Sequence, residues 1–170
     1  MKGANRCIME KPGYIKDPVC GIEVEPHQHA LVYREIDYAF CSRQCQERFL
    51  AHPHLYVGLP GQKAPRQEGR QLIKQRKMRL AQPFKPEEAR ELASALSALP
   101  GVKYIHAEAN DLTISYDLLL VTAEQIEEQL ATAGVKLGDG WAERLRLAFL
   151  HYEEELEVSG LEMTDKTIYG

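Results

Sequence analysis

The residues able to do chemistry are concentrated between Asp17 and Tyr56, in DPVCGIEVEPHQHALVYREIDYAFCSRQCQERFLAHPHLY. Cys20 is separated by twenty residues from Cys41-x3-Cys45, and the fourth cysteine of the chain, Cys7, lies upstream. Thiolates are soft ligands, and three in one short stretch can hold zinc or a softer ion. Cys41 and Cys45 are four apart, so one helical turn sets both sulfurs on the same face. A structural zinc site normally has four ligands. Asp17 is the first candidate to complete the set, because Asp17-x2-Cys20 has the spacing of the Cys-x2-Cys of a zinc knuckle. Cys7, His27, His29, His52, His54 and a water or exogenous ligand are the alternatives at that position.

Local pattern supplies the elements that must position these ligands. Asp17-Pro18-Val19-Cys20-Gly21 reads as a tight knuckle, in which Pro presets φ and Gly lets backbone amides turn toward a thiolate. Leu31 and Tyr33, then Ile36, Tyr38 and Phe40, alternate as two strands of a hairpin with Arg34-Glu35 near its turn. Ser42 is placed as the N-cap of an amphipathic helix from Arg43 to Ala51, which Pro53 ends. The positive end of that helix is expected to lower the thiol pKa values. Knuckle, hairpin and ligand-bearing helix together predict a treble-clef-like zinc-finger module.

Composition narrows the function classes. The chain has 170 residues and a formal charge of −4, which gives no global attraction to nucleic acid. Residues 61–80 are locally basic, with seven Lys or Arg against one Glu; they read as a solvated linker entering an edge strand. No run approaches the roughly 18 apolar residues of a membrane span. The first residues, MKGANRCIMEKPGY, have no apolar h-region, so a cytoplasmic protein is expected. Clustered cysteines in a reducing compartment point to metal or redox chemistry rather than structural disulfides. Cys41-x3-Cys45 is not a thioredoxin-like Cys-x2-Cys, and neither a phosphate loop nor a catalytic triad is present, so catalysis is not expected.

Asp17-Pro18-Val19-Cys20-Gly21, Tyr38-x-Phe40-Cys41-Ser42, Cys45, Phe49 and His52-Pro53-x2-Tyr56 resemble the YHS domain, of the TRASH-like group, over about forty residues. That family is linked to heavy-metal handling, at the N-termini of metal-transporting P-type ATPases and in metal sensors and resistance proteins. The resemblance implies metal binding through Cys20, Cys41 and Cys45. Many relatives carry Met after the Cys-Gly pair where this chain has Ile22, which weakens the case for soft Cu(I). Zinc is the default ion; copper or another heavy metal is the rival.

Residues 57–75 are polar and broken by Gly and Pro, so the chain divides into a metal module (1–58), a linker (59–75), a second domain (76–138) and a C-terminal segment (139–170). In the second domain Met78-Arg79-Leu80 ends a strand, and Pro86 opens a helix with Ala89, Leu92, Ala93, Leu96 and Leu99 inward. Val102 to Ala107 and Leu112 to Tyr116 form two strands joined by Asn110-Asp111. Thr122 caps a helix with Ala123, Ile126, Leu130 and Ala133 inward, and Val135-Lys136-Leu137 forms a last strand. The order is βαββαβ, the ferredoxin-like arrangement. LPGV at 99–102, Ser115-Tyr116-Asp117 and TAEQIEEQLATAG at 122–134 are similar to the heavy-metal-associated domain. Its Met-x-Cys-x2-Cys loop is replaced by Ala81-Gln82-Pro83-Phe84-Lys85-Pro86, so no ligand is carried over. From Trp141 to about Val158 an amphipathic helix is expected, with Trp141, Leu145, Ala148, Phe149, Tyr152 and Leu156 packed on the sheet or forming a homodimer surface.

The sequence therefore predicts an α+β protein that binds a heavy metal for storage, sensing or delivery, in association with a metal-transporting P-type ATPase or another metal-handling protein. A structural zinc module serving protein or nucleic-acid docking is the alternative.

Overall fold

The computed structural model describes residues 13–83, 85–135 and 150–162. β1 (Ile15–Lys16) and β2 (Glu23–Val24) pair antiparallel and close the knuckle, with Ile15 opposite Val24. β3 (Leu31–Tyr33) and β4 (Ile36–Tyr38) form the expected hairpin, with Tyr33 opposite Ile36. Its turn is made by Arg34 and Glu35 at φ of 50° and 64°, a left-handed conformation that Asn and Gly adopt with less strain.

Helix α1 (Arg43–Ala51) starts where the sequence places it. Ser42 is extended and its side chain accepts the Cys45 N–H, while a single 3-10 turn over Pro53–Leu55 follows the helix. Phe49 on α1 is the hub of this half. Its ring packs edge-on to Tyr33 at 5.4 Å, and lies 5.0 Å from Tyr38 and 5.3 Å from Phe40. Such contacts, with full burial of Phe49, hold the helix against the hairpin and so fix the direction of Cys45.

The segment expected as a linker to residue 75 is turn-rich only as far as 72. Ala64 is buried, the Arg66 N–H donates to the Leu55 carbonyl at 2.9 Å, and the Arg66 side chain donates to the Val19 carbonyl at 3.0 Å. β5 (Ile73–Arg79) then begins inside the expected linker. Its high charge hides it: only Met78 of the strand is buried, as its burial alternates.

α2 (Pro86–Ser97), β6 (Val102–Glu108), β7 (Asp111–Asp117) and α3 (Ala123–Thr132) follow. The sheet order is β5-β7-β6, with both pairs antiparallel. Met78, Leu112, Ile114 and Tyr116 share a cluster with Leu92 and Leu96 of α2 and Ile126 and Leu130 of α3. Pro86 occupies the first turn of α2, and Thr122 caps α3 by accepting the Gln125 N–H. Ala133, expected inward, is exposed just beyond the end of α3. Of the expected last strand, Val135 is not in a strand, and Lys136 and Leu137 lie outside the described residues.

Residues 150–162 are helical (α4). Their inward face differs from the one expected. Tyr152 and Leu156 are exposed, whereas Glu154 and Val158, four apart, are buried. Burial of Glu154 is possible because its carboxylate accepts the Tyr116 hydroxyl and the Ala123 N–H. Trp141, Leu145, Ala148 and Phe149 of the expected stripe lie outside the described residues.

One hydrophobic cluster runs from Val19, Phe40 and Phe49 through to Met78, Ile114, Ile126 and Val158, so the two halves pack together. α1 is the connector. Gln44 donates to the carbonyls of Pro100 at 3.3 Å and Leu120 at 3.1 Å, and buried Arg48 donates to the Leu118 carbonyl at 2.8 Å. The Tyr56 hydroxyl donates to the Leu119 carbonyl at 2.7 Å. The basic stretch also finds internal partners: Lys74 pairs with Glu157, Arg76 lies 3.9 Å from Glu154, and Lys77 pairs with Asp111 at 2.8 Å. Two of these three acids come from α4, so part of the local positive charge is met within the chain. Among the described residues no helix is long and apolar enough to cross a membrane.

Candidate metal centre

Four side chains from three separate places converge. Asp17 and Cys20 come from the knuckle after β1, Cys41 from the chain leaving β4, and Cys45 from the first turn of α1. One ligand atom from each lies within 4.8 Å of all the others. Cys20 Sγ is 3.4 Å from Cys41 Sγ, which is 3.5 Å from Cys45 Sγ. Tetrahedral zinc with bonds of about 2.3 Å to sulfur separates its thiolates by roughly 3.8 Å, so small shifts would admit the ion. Asp17 and Cys45 are buried, whereas Cys20 and Cys41 are half-buried and lie toward solvent. The arrangement is a group that could hold a metal ion.

The knuckle is built around Asp17. Its backbone N–H donates to the Ile22 carbonyl at 2.9 Å, and its carbonyl accepts the Gly21 N–H at 2.8 Å. Gly21 sits at φ 80°, which a residue with a Cβ adopts only with strain. The Asp17 Oδ1 accepts the N–H groups of Val19 at 2.8 Å and Cys20 at 3.3 Å, and Oδ2 accepts that of Cys41 at 2.8 Å. Three N–H donors hold this buried carboxylate in place.

Two further residues brace the centre, and no motif pointed to them. The Gln28 side chain donates to the Cys41 carbonyl at 2.9 Å, while the Gln28 carbonyl accepts the Phe40 N–H at 3.0 Å. Arg66 holds the Val19 carbonyl from the turn-rich segment, 47 residues away. Neither residue carries a local signal in sequence, since each acts through a backbone carbonyl brought near by the fold.

The thiols do not share one protonation behaviour. Contact with the Cys45 thiol lowers the pKa of Cys20. Burial pushes Cys41 up to about 12. Cys45 is raised furthest, first by its bond to Cys20 and then by burial and the Asp17 charge. The expected lowering by the helix N-terminus is therefore overturned for Cys41 and Cys45. A half-charge at a helix end does not offset burial beside other anionic groups. A cation bound there would reverse this balance, because it would stabilise the thiolates that it touches.

The alternative fourth ligands are elsewhere. His27 and His29 are exposed, and neither they nor His52 and His54 join the cluster among the described residues. His52 is buried at the end of α1 against Glu155 and Glu162. Cys7 lies outside the described residues.

No curated protein and no solved structure matches the chain. Residues 15–59 match the family model of the YHS domain, a span that contains Asp17, Cys20, Cys41 and Cys45. Match and cluster together fit a metal-binding module in this part of the chain.

Proposed function

We propose that the protein binds one heavy-metal ion through Cys20, Cys41 and Cys45 as thiolates and Asp17 as the fourth donor, and that it stores, senses or delivers that ion. The observation that carries the reading is the convergence of these four ligand atoms within 4.8 Å from sequence positions up to 28 residues apart (45 − 17). Three soft sulfurs and one hard oxygen suit zinc first, and copper or another thiophilic ion as the rival. An exchangeable site is favoured over an inert staple by the half-buried positions of Cys20 and Cys41. It is also favoured by the module's own packing, since Phe49 and the hydrogen bonds of Gln44, Arg48 and Tyr56 to the second half hold it by contacts other than metal.

Binding rather than catalysis is the reading because, among the described residues, no carboxylate or histidine beyond Asp17 joins the cluster, and His52 is engaged by two glutamates of α4. The second half is read as a ferredoxin-like domain of the heavy-metal-associated type without its metal loop. The β5-β7-β6 order, with α2 crossing between β5 and β6, supports that reading. Such a pairing of modules suits a chain that works beside a metal-transporting P-type ATPase or another metal-handling protein. The exposed Tyr152 and Leu156 offer a face for a second copy.

Elemental analysis of purified protein, followed by competition with chelators of graded strength, tests the proposal. One metal per chain that a moderate chelator removes without unfolding the protein supports it. A zinc ion retained until the chain unfolds would reassign the centre as a structural staple.

A further inference from the structure

We propose that the metal centre and α4 are energetically coupled through α1, so that loading the centre tightens the docking of α4. This inference rests on the metal reading of the cluster given above. α1 carries Cys45 in its first turn and ends at His52. The imidazole of His52 is buried between two carboxylates of α4. Its Nδ1 is hydrogen-bonded to Glu162 Oε2 at 3.1 Å, and its Nε2 lies 3.0 Å from Glu155 Oε1. The other oxygen of Glu162 accepts the backbone N–H of His54 at 3.3 Å. Glu162 therefore grips the chain on both sides of Pro53.

Between its two ends α1 is fixed to the second half by Arg48, whose guanidinium donates to the Leu118 carbonyl. A nine-residue helix is only about 13 Å long, short enough to transmit a displacement from one end to the other. Any adjustment of Cys45 toward an ion therefore shifts Arg48 and His52 with it, and these are the groups that hold Leu118 and α4. Linkage makes the effect reciprocal: if the loaded centre favours docked α4, docked α4 favours the loaded centre. The clamp also accounts for a buried histidine that the metal cluster does not use. The same helix is thus a ligand arm at one end and a latch at the other.

Hydrogen exchange of the full chain, measured with and without one equivalent of Zn²⁺, reads the coupling directly, with α2 as internal reference. Zinc is expected to slow exchange in 150–162 by about 5-fold or more while leaving α2 little changed. His52→Asn is expected to abolish that difference and to weaken zinc binding by a similar factor. Glu162→Gln, which keeps the side-chain shape, serves the same purpose should His52→Asn fail to fold. Stoichiometric zinc uptake with unchanged exchange in 150–162, or with equal slowing in α2, overturns the coupling alone. Absence of uptake of both zinc and, in a parallel titration, Cu(I) overturns the metal reading and the coupling with it.

Discussion

The carboxylate of Asp17 accepts the backbone N–H of Cys41 at 2.8 Å, across a separation of 24 residues. That bond joins the knuckle to the residue just ahead of Ser42, the N-cap of the ligand-bearing helix. It makes Asp17 a brace between the two halves of the proposed ligand set, in addition to the role of donor to the ion proposed for it. Asp17→Ala is expected to weaken zinc binding about 10- to 100-fold. It should also destabilise the protein by about 1–3 kcal/mol, because three N–H groups lose their acceptor. Asp17→Cys rebuilds a Cys-x2-Cys knuckle and is expected to bind zinc at least as tightly as the parent. Chelator competition on the two variants checks both. Parental affinity in Asp17→Ala would remove the residue from the site.

Proton release should accompany loading. Cys41 is pushed up to about 12 by burial, and Cys45 is raised further by its bond to Cys20 and by burial, so both are protonated at neutral pH without metal. Metal requires the thiolates, and at least these two protons must leave. The sign follows: apparent affinity rises with pH, by about 100-fold per unit where two protons are released. Zinc titrations at several pH values, with an indicator for released protons, measure the slope. A pH-independent affinity between 6 and 8 would exclude Cys41 and Cys45 as ligands.

Phe49 sets the position of α1 against the hairpin through rings on both β3 and β4. Phe49→Ala is expected to cost about 3–5 kcal/mol in chemical denaturation, as for other buried aromatic truncations. Metal affinity should fall as well, because Cys45 would lose the packing that aims it. A loss below about 1 kcal/mol would mean that the aromatic cluster does not hold the helix.

Glu154 ties α4 to both the sheet and the start of α3, through the Tyr116 hydroxyl and the Ala123 N–H. Glu154→Ala should destabilise the chain by about 2–3 kcal/mol, since two buried donors lose a charged acceptor. Tyr116→Phe removes one of the two and should cost less. Equilibrium unfolding in urea ranks the three proteins, and equal stability throughout would show that α4 is not docked by this contact.

The site was more legible in the sequence than the way the chain packs around it. Asp17-x2-Cys20, Cys41-x3-Cys45 and the Ser42 cap are local spacings, and local spacings fix where a turn points its side chains. The outward turn of Tyr152 and Leu156 was not legible. Hydrophobic periodicity assigns charge to solvent, whereas Glu154 is buried because Tyr116 and Ala123, distant in sequence, satisfy it. β5 was half missed for a related reason: IKQRKMR reads as a polar linker until Glu157, Glu154 and Asp111 are placed beside Lys74, Arg76 and Lys77. The links from Gln44, Arg48 and Tyr56 to backbone carbonyls leave no trace in composition at all, since any residue offers a carbonyl.

Cobalt(II) titration of the parent protein and of Cys41→Ser tests the central claim most directly, because sulfur-to-cobalt charge-transfer absorption reports thiolates bound to the ion. The parent should take up one equivalent with an absorption expected for three thiolates, and zinc should displace it. Cys41→Ser should lose stoichiometric uptake. Absence of the charge-transfer band in the parent, or an unchanged band in Cys41→Ser, would contradict the assignment of Cys20, Cys41 and Cys45 as a metal centre.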